Sequence, residues 1–524
     1  MSAKSESGQL STVKVSLIIA LGGFLMGFDA SVISGVVGFI ELEFSLTKIQ
    51  LGWSVASLTL TATLAMMVAG PLSDRVGRRP VLTMAAALFA VSAVASAVAP
   101  NFLILVSARM IGGFGVGAAL IIAPMFIAEI APAESRGRMV SLNQLNIVIG
   151  ISVAFFSNYL ILSVGQSNLA WAEFLRLGDW NWRWMLGVEV LPAILYILAL
   201  MMVPESPRWL AMRGRDSEAL RVFAKICGAE QARAELTVVH DSLNADATQQ
   251  AASLKQLFRP AMKLVLTIGI AVAILQQITG INSVFFYAPM IFEQSGIGTD
   301  AAFMQAVLVG VVNLVFTIVA IALIDRLGRR PLLIFGLAGI AVCMLTLSYG
   351  FGSAEYSLSQ SAIDSLPVQI DRERIAPATG ITFASDVDFR RAVSAAIGAD
   401  AFQQHESQLI SAAVHLNPTL ILFGILGFVA SFAVSLGPVM WVLFSELFPN
   451  QLRGLAISLA GFVNSSVSFI VQLVFPWELA NFGNSATFLI YGIFAVLGLV
   501  LVVRIFPETK GRSLEELEQL LVKT

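Results

Sequence analysis

Charged and metal-binding residues are scarce in this chain. Of its 524 residues only 13% are charged, and there are two cysteines and three histidines. Cys227 falls in a polar loop and Cys343 in an apolar stretch, so they are not expected to form a disulfide, and the histidines lack the spacing of metal ligands. The net charge of −2 gives no indication of nucleic-acid binding. Because no nucleophile, metal or cofactor constellation is present, we expect neither an enzyme nor a bound cofactor.

Hydrophobic residues, in contrast, make up 57% of the chain, and the mean hydropathy is +0.82. A soluble protein of this length could not bury so much apolar surface, so the composition predicts a polytopic protein of the lipid bilayer. The polar tail before Val13 is short and lacks the basic region and small-residue cleavage site of a signal peptide. The first apolar helix is therefore expected to remain in the mature chain.

Twelve apolar stretches are long enough to cross a bilayer core of roughly 30 Å as helices. Their approximate bounds are 15–38, 52–71, 81–99, 102–122, 139–163, 184–203, 262–292, 301–324, 332–351, 418–445, 454–477 and 485–506. Alternate short loops between these stretches are rich in arginine: Arg75, Arg78, Arg79, Arg136, Arg138, Arg326, Arg329, Arg330 and Arg453. By the positive-inside rule these loops are cytoplasmic, and the even number of spans then predicts two cytoplasmic termini.

The second half of the chain repeats motifs of the first. Asp74–Pro80 (DRVGRRP) returns 251 residues later as Asp325–Pro331 (DRLGRRP), and Glu129–Pro132 returns 317 residues later as Glu446–Pro449. These offsets differ by 66, the length of the polar segment 352–417, which we interpret as an insertion in the second half. Two six-helix halves in parallel repeat, with a polar site expected at their interface, form the architecture of an alternating-access transporter.

The predicted fold is therefore an all-α membrane protein with twelve transmembrane helices in two six-helix halves. Its predicted domains are an N-terminal half at 1–204, a cytoplasmic helical linker at 205–261, a C-terminal half at 262–506 with an extracytoplasmic insertion at 352–417, and a cytoplasmic tail at 507–524. Apolar and polar residues alternate within the insertion, which predicts an amphipathic helix there. The insertion is interpreted either as a lid over an outer vestibule or as a surface elaboration.

The stretch Gln276–Tyr287 is the most unusual of the apolar runs, because it carries several amides at mid-depth. Amides are costly in hydrocarbon unless they face a bundle interior or a wet cavity. Gly280 can loosen the helix and free backbone groups for a polar ligand. Such a cluster suits a neutral, hydroxyl-rich solute, although amides that only join neighbouring helices remain an alternative.

Three ionisable residues lie deep within apolar spans: Asp29, Arg109 and Glu189. At 1.5 Å per residue they sit roughly 13, 10 and 8 Å below the outer ends of helices 1, 4 and 6, so mutual contact is feasible. A carboxylate at such depth is expensive unless it is paired or protonated. Asp29 beside Arg109 would be ionised, and it would take up a proton when that contact opens. A static buried ion pair is the alternative.

Opposite charges also recur at the predicted cytoplasmic ends of the helices. The residues concerned are Asp74, Arg78, Glu129, Arg136, Asp325, Arg329, Glu446 and Arg453. Pairs among them can latch the two halves in an outward-open state and break when the interior opens. The alternative is that the arginines only set the topology, with exposed pairs that contribute under about 1 kcal/mol.

These motifs resemble the sugar porter family of the major facilitator superfamily over nearly the whole chain. The matching segments are Gly22 to Gly35, both DRxGRRP loops, Arg109–Gly117, Glu129 with Arg136–Arg138, Pro204–Trp209 (PESPRW), Gln276–Gln277 with Gly280–Asn282, Gly437–Trp441 and Pro507–Arg512 (PETKGR). PESPRW and PETKGR together are more specific for sugar porters than a single DRxGRR loop. The resemblance implies that Asp29, Arg109 and Glu189 couple transport to protons.

The same resemblance implies a set of residues that contact the sugar. By motif position these are Gln144, Gln276, Gln277, Asn282, Asn313, Trp441 and Asn464. Amides donate to and accept from vicinal hydroxyls at once, and an indole stacks on a sugar face, although Trp441 could instead pack at an interface. The chain departs from the family pattern at Met26, Phe28, Phe286 and Ser465, the last of which stands where tryptophan is common. The particular sugar is therefore left open.

The sequence thus predicts a proton-coupled importer of a mono- or small oligosaccharide in a bacterial inner membrane. Its expected partners are the sugar, protons and the lipid bilayer, without nucleic acid, and a monomer is expected to suffice. A facilitative uniporter with the same fold is the first alternative, and a sensor that binds sugar without transporting it is the second.

Overall fold

The computed structural model describes residues 2–132, 135–248, 254–366, 372–449, 452–511 and 516–517. Part of the predicted cytoplasmic tail, 512–515 and 518–524, therefore lies outside the described residues. In the first half of the chain the helices are α1 (Ser2–Val32), α2 (Val37–Glu43), α3 (Lys48–Val76), α4 (Arg78–Ala97), α5 (Phe102–Ile130), α6 (Arg136–Gly165), α7 (Ala170–Phe174), α8 (Asn181–Gly187), α9 (Val190–Met201), α10 (Pro207–Met212), α11 (Asp216–Cys227) and α12 (Ala229–Thr248).

Among its described residues, the second half adds twelve more helices and three short strands. The helices are α13 (Leu254–Leu257), α14 (Lys263–Ile278), α15 (Ile281–Glu293), α16 (Thr299–Leu327), α17 (Arg329–Gly352), α18 (Gln360–Ser365), α19 (Arg372–Ile375), α20 (Asp386–Ile397), α21 (Ala399–Ala413), α22 (Pro418–Val434), α23 (Leu436–Leu447) and α24 (Arg453–Ile505). The strands are β1 (Glu355–Ser357), β2 (Thr382–Phe383) and β3 (Val414–His415), and 3-10 turns occupy Ile33–Gly35, Pro260–Met262 and Ala376–Ala378.

Within the described ranges, eleven helical segments are long and apolar enough to cross a membrane. One of them, α24, has 53 residues. At 1.5 Å per residue it is about 80 Å long, roughly twice the full thickness of a bilayer. Its backbone leaves the helical conformation at Gly483, with φ of 80°, so α24 comprises two spans. The twelve predicted spans are thereby confirmed.

Two of the spans are interrupted where the sequence carries glycine or serine. Between α14 and α15 the backbone turns through Gly280, whose φ of 90° is left-handed and favours glycine. A side chain there would also meet the ring of Tyr491, 2.5 Å from the position of its Cβ. Between α22 and α23, Ser435 adopts φ −118° and ψ −97°, just before Gly437-Pro438. The loosening predicted at Gly280 is therefore present.

Contacts divide the chain into two compact units. The first comprises Met1–Val32, Ser57–Ala154 and Arg183–Ala252. Its core contains Phe89, Phe126 and Tyr196 from the spans, and Phe223 and Leu236 from α11 and α12 pack into the same cluster. Both helices fall in the segment where the sequence predicts a helical linker.

The second unit comprises Ile33–Ala56, Phe155–Trp182 and Ser253–Thr524, a range that includes the predicted insertion. Here β1 pairs antiparallel with both β2 and β3, and Tyr356 lies opposite Phe383 on one side and Val414 on the other. Tyr356 stacks on Phe389 of α20, with ring centroids 5.9 Å apart. The apolar face of α20 (Phe389, Val393 and Ile397) is buried, which confirms the predicted amphipathic helix; the small sheet was not predicted.

Candidate functional site

Three charged side chains meet in the interior of the first unit. Arg109 Nη1 lies 3.3 Å from Asp29 Oδ1, and Arg109 Nη2 donates to the backbone oxygen of Asp29 at 3.4 Å. Both side chains are about 1% exposed, and Glu189, between α8 and α9, is 2% exposed. Glu189 interacts electrostatically with both Asp29 and Arg109. The structure thus brings together the three ionisable residues that the sequence singled out.

The approach of α1 to α5 depends on a glycine one turn beyond Arg109. A Cβ at Gly112 would lie 2.8 Å from Asp29 Oδ2 and 2.6 Å from Ser92 Oγ. A larger residue at this position would therefore force the side chain of Asp29 or Ser92 to shift. Gly112 falls within the segment Arg109–Gly117 quoted for the family, but the sequence alone gave no reason for this glycine.

Hydrogen bonding in this charged cluster is incomplete. Asp29 Oδ2, Arg109 Nε and Glu189 Oε1 are buried and have no hydrogen-bond partner among the described residues. Buried polar atoms without partners are uncommon and need an explanation, such as a role in moving protons. Two carboxylates beside one guanidinium leave the cluster one negative charge in excess when all three ionise, and binding one proton would neutralise it.

The second unit places four of the predicted amides in one hydrogen-bonded network. Gln277 Nε2 donates to Gln276 Oε1 and to Asn464 Oδ1, both at 3.2 Å. Asn464 Nδ2 donates to Gln276 Oε1 at 2.8 Å, and Asn282 Nδ2 donates to Gln277 Oε1 at 2.8 Å. Gln276 Nε2 donates to the carbonyl oxygen of Leu436, next to the break at Ser435. The network therefore joins both halves of the interrupted helix α14–α15 to α23 and α24.

Two further residues of α24 extend this network and were missed by the sequence analysis. Asn282 Nδ2 also donates to Ser468 Oγ at 2.6 Å, and Gln472 Nε2 donates to the same oxygen at 2.7 Å. Asn464, Ser468 and Gln472 follow one another at intervals of four, so they form one polar stripe along the helix. This spacing of four residues is the feature of the sequence from which Ser468 and Gln472 could have been predicted.

Asn282 is the member of the network best placed to meet a solute. It is partly exposed, whereas Gln276, Gln277 and Asn464 are at most 8% exposed. Both hydrogens of the Asn282 amide are used within the network, but its Oδ1 accepts no hydrogen bond among the described residues. A sugar hydroxyl can donate to that oxygen without disrupting the other bonds.

The remaining predicted contact residues lie apart from these bonds. Asn313 of α16 is buried and Trp441 of α23 is 42% exposed, and in the described part of the chain neither is hydrogen-bonded to the four amides. The Trp441 ring instead packs edge to face on Phe444, with centroids 5.9 Å apart. Gln144 is half-buried on α6 in the first unit. A sugar-binding role for Gln144, Asn313 and Trp441 stays a prediction.

The predicted cytoplasmic charges of the first unit form a closed cluster around Arg78, which is only 3% exposed. Its Nη1 lies 2.8 Å from Asp74 Oδ1, and its Nη2 lies 2.9 Å from Glu129 Oε1. Ser206 Oγ donates to the other oxygen of Glu129. Glu205 Oε1 accepts from the backbone N–H groups of Arg78 and Arg79 and so caps the N-terminus of α4.

The second unit repeats this cluster around Arg329. Its Nη2 lies 3.3 Å from Asp325 Oδ1 and 2.7 Å from Glu446 Oε1. Thr509 Oγ1 donates to Glu446 Oε2 at 2.7 Å, and Glu508 accepts from the backbone N–H groups of Arg329 and Arg330. PETKGR thus provides in this unit the same two contacts that PESPRW provides in the first: a hydroxyl that donates to the paired glutamate and a carboxylate that caps a helix. In the sequence, both motifs are recognisable only as family signals.

Two of the predicted cytoplasmic charges lie outside these clusters. Arg136 is exposed, and Arg453 Nε donates to the backbone oxygen of Phe448. Neither forms an ion pair among the described residues.

Burial raises the pKa of the Glu205 carboxyl, while the N–H groups of Ser206, Arg79 and Arg78 act in the opposite direction. The latch between the halves stays a prediction.

The chain was compared with known protein families and proteins. Residues 15–363 and 393–521 match the family described as "Sugar (and other) transporter". The gap between the two matched ranges, residues 364–392, falls within the predicted insertion. The arabinose-proton symporter of Bacillus subtilis (strain 168) is 34% identical over 511 residues, which cover 98% of this chain and 95% of the relative. The D-xylose-proton symporter of Escherichia coli (strain K12) is 34% identical over 541 aligned positions, covering 97% and 95%.

Solved structures agree with this likeness. The xylose transporter XylE of Escherichia coli, in an inward open conformation, matches with a TM-score of 0.73 and 32% sequence identity. The match covers 97% of this chain and 100% of that one. A proton:xylose symporter structure bound to 6-bromo-6-deoxy-D-glucose matches with a TM-score of 0.68, 33% identity and coverage of 98% and 100%.

Proposed function

The chain belongs to the sugar (and other) transporter family, and from that membership we propose that it imports a sugar by proton symport through alternating access. It is a multi-pass membrane transporter of the major facilitator fold, not an enzyme. The observation that carries the proposal is the buried cluster of Asp29, Arg109 and Glu189, in which a gain or loss of one proton changes the charge balance. Relatives named as arabinose- and D-xylose-proton symporters support it.

Sugar recognition rests on the amide network of the second unit. Amide oxygens accept from sugar hydroxyls and amide N–H groups donate to them, so a few side chains can bind two vicinal hydroxyls. Asn282 makes the first contact because it is partly exposed and its Oδ1 is free to accept. Gln277 holds Asn282 in place through the 2.8 Å bond from Asn282 Nδ2 to Gln277 Oε1. Pentoses and hexoses are the substrate class we propose.

Proton coupling rests on the first unit. Arg109, at 3.3 Å from Asp29, favours the ionised form of the carboxylate. A carboxylate that loses its arginine partner in a dry interior is stable only as the neutral acid, so withdrawal of Arg109 requires proton uptake. Return of the arginine expels the proton. Glu189 modulates or relays this exchange, since it interacts electrostatically with both partners.

The predicted topology completes the proposal. Both termini and the clusters around Arg78 and Arg329 face the cytoplasm, and the chain works as a monomer in the inner membrane of a bacterium. Arginines at the adjoining ends of α3 and α4 and of α16 and α17 favour this orientation. The linker helices α11 and α12, together with the two clusters, serve as the cytoplasmic gate.

The decisive measurement is uptake into proteoliposomes. Radiolabelled arabinose, D-xylose and glucose are supplied outside, with and without an inwardly directed proton gradient. We expect at least one sugar to accumulate above its external concentration when the gradient is present, and only to equilibrate when it is absent. Equilibration under both conditions would identify a uniporter. Binding without entry would identify a sensor, and either result contradicts the proposal.

A further inference from the structure

The insertion joins two distant parts of the second unit through a charge row, five side chains of alternating sign. In order along the row these are Asp386 and Arg390 of α20, Glu406 of α21, Lys48 of α3 and Glu41 of α2. Lys48 Nζ lies 3.1 Å from Glu406 Oε2 and 2.6 Å from Glu41 Oε1. Arg390 Nη1 pairs with Glu406 Oε1, and its Nε lies 4.0 Å from Asp386 Oδ2. No side chain in the row is more than 22% exposed, so solvent screens these pairs less than pairs on an open surface.

One end of the charge row is attached to the turn inside α24. Asp386 Oδ2 accepts from the backbone N–H of Asn484 at 3.3 Å and from its Nδ2 at 3.1 Å. Asn484 follows Gly483, where the backbone leaves the helical conformation between two spans. A Cβ at Gly483 would lie 2.5 Å from Asp386 Oδ1, so this close approach requires glycine. The insertion is therefore fixed to the turn between the last two spans.

The other end of the charge row holds residues 33–56, the connection between the first two spans. Gln403 Nε2 of α21 donates to the backbone oxygen of Leu46 at 2.9 Å, close to the contact between Lys48 and Glu406. The connection 33–56 belongs to the second unit, although the rest of both spans, in α1 and α3, belongs to the first. The insertion therefore binds a segment whose continuation on either side lies in the other unit.

The contact between Lys48 and Glu406 can open without leaving either charge unpaired. Lys48 keeps Glu41, which lies on the same connection, and Glu406 keeps Arg390, which lies on the insertion. A partly buried ion that lost its only partner would be strongly destabilised, and such a contact would be permanent. Because each ion here has a second partner on its own side, the two sides can separate at a much lower cost. This is what a reversible contact requires.

We propose that these contacts form an outer latch, made by Gln403 and Glu406 of α21 with Leu46 and Lys48 of the connection 33–56. The outer latch is closed in this structure, and it opens in each transport cycle when the proposed extracytoplasmic side opens to sugar. The insertion thereby controls how often the transporter faces outwards rather than which sugar it binds. This inference rests on the proposed function, because it assumes alternating access.

The first test locks the outer latch with a covalent link. Leu46→Cys/Gln403→Cys, in a full-length chain with Cys227 and Cys343 replaced by serine, leaves the charge row intact. A bifunctional methanethiosulfonate should link the two new cysteines, which mass spectrometry checks. The link should abolish uptake into proteoliposomes of the sugar that the wild type accumulates, because the connection 33–56 can no longer leave α21. Uptake should return when a reductant cleaves the link.

Asp388→Cys/Arg391→Cys is the matched control for the reagent. The two residues form an exposed pair within α20, at 3.7 Å, so a link between them stays inside the insertion. It should leave uptake unchanged. Lys48→Cys/Glu406→Cys provides a second pair across the outer latch, and linking it should abolish uptake in the same reversible way.

The second test weakens the outer latch. In Gln403→Ala/Glu406→Gln the closed state loses a hydrogen bond and an ion pair, so open molecules become more frequent. The external sugar concentration for half-maximal uptake should fall severalfold, because apparent affinity rises with the fraction of binding-competent molecules. A variant that is merely damaged would not gain affinity. Gln403→Ala alone should act in the same direction with a smaller effect, whereas Gln408→Ala, whose partner His405 lies on α21 itself, should have none.

The possible failures are distinguishable. Wild-type uptake by the linked Leu46→Cys/Gln403→Cys protein would overturn the outer latch, because the contact would then not need to open. An unchanged or higher half-saturating concentration in Gln403→Ala/Glu406→Gln would do the same. Both results would leave the proposed transporter intact. A wild type that takes up no sugar at all would overturn both proposals.

Discussion

The interior of the first unit carries charged side chains, whereas the interior of the second carries neutral amides. Asp29, Arg109 and Glu189 are at most 2% exposed in the one, and Gln276 and Gln277 are at most 8% exposed in the other. The clusters around Arg78 and Arg329 are nearly the same in both units, down to the capping carboxylates. The two units thus share the ion pairs and capping bonds that join the ends of their helices. They differ in the buried polar residues that are proposed to bind a proton in one unit and a sugar in the other.

This difference separates two chemical tasks. A carboxylate changes its charge with proton binding, and an amide does not at any physiological pH, so the cluster in the first unit can respond to a proton gradient whereas the amide network cannot. Amides donate and accept without the desolvation cost of an ion, so the second unit can release a neutral sugar easily. If the division is correct, variants in the first unit should change coupling, and variants in the second should change affinity.

The largest effect is expected for Asp29→Asn, which fixes the neutral form with little change of shape. Proton-driven accumulation should be lost completely, while exchange of labelled for unlabelled sugar at equal concentrations continues. Accumulation ratios and counterflow in proteoliposomes measure the two. Asp179→Asn is the control, because Asp179 forms only an exposed pair with Arg176. Accumulation by Asp29→Asn would reduce Asp29 to a structural ion-pair partner.

Next come Gln277→Ala and Asn282→Ala in the amide network. Each should weaken sugar binding by about 1–3 kcal/mol, or roughly 5- to 150-fold, because polar groups of the sugar and the network lose partners. The proton dependence of uptake should be unchanged. Calorimetric titration gives the affinity, with Asn481→Ala as a control, since Asn481 is exposed. Wild-type affinity together with a lower melting temperature would show that these amides only join helices.

A smaller effect, about tenfold, is expected for Ser465→Trp. Ser465 is half-buried beside Asn464, where an indole would occupy space near the amide network. Smaller sugars should then be favoured over larger ones, as changes of pocket size typically discriminate by about 1–3 kcal/mol. Competition of mono- and disaccharides against a labelled sugar gives the ranking. An unchanged ranking would mean that position 465 does not face the solute.

The smallest effect is expected for Glu189→Gln. Glu189 interacts electrostatically with the Asp29–Arg109 pair but shares no ion pair with either residue among the described residues. The variant should keep proton-driven accumulation, with a severalfold lower ratio and a changed dependence of uptake on external pH. Complete loss, equal to that of Asp29→Asn, would make Glu189 an equal partner in coupling.

Much of this arrangement was predictable from local pattern. The spans follow from unbroken apolar runs, because the bilayer demands about 20 such residues and a helix satisfies its own backbone. A charge or amide within such a run is conspicuous for the same reason, so Asp29, Arg109, Glu189 and Gln277 could be singled out from the sequence. The break at Gly280 was predictable because only glycine takes a left-handed conformation without strain.

Other features depend on contacts between distant segments and were decided by the tertiary structure alone. PESPRW and PETKGR are recognisable as motifs in the sequence, but no local rule predicts that Glu205 and Glu508 cap helices more than a hundred residues away. The polar stripe completed by Ser468 and Gln472 acquires meaning only once Asn282 lies against it. In each case the physical reason is that a buried polar atom needs a hydrogen-bond partner. The sequence shows which residues carry such atoms, but it does not show which residue provides the partner.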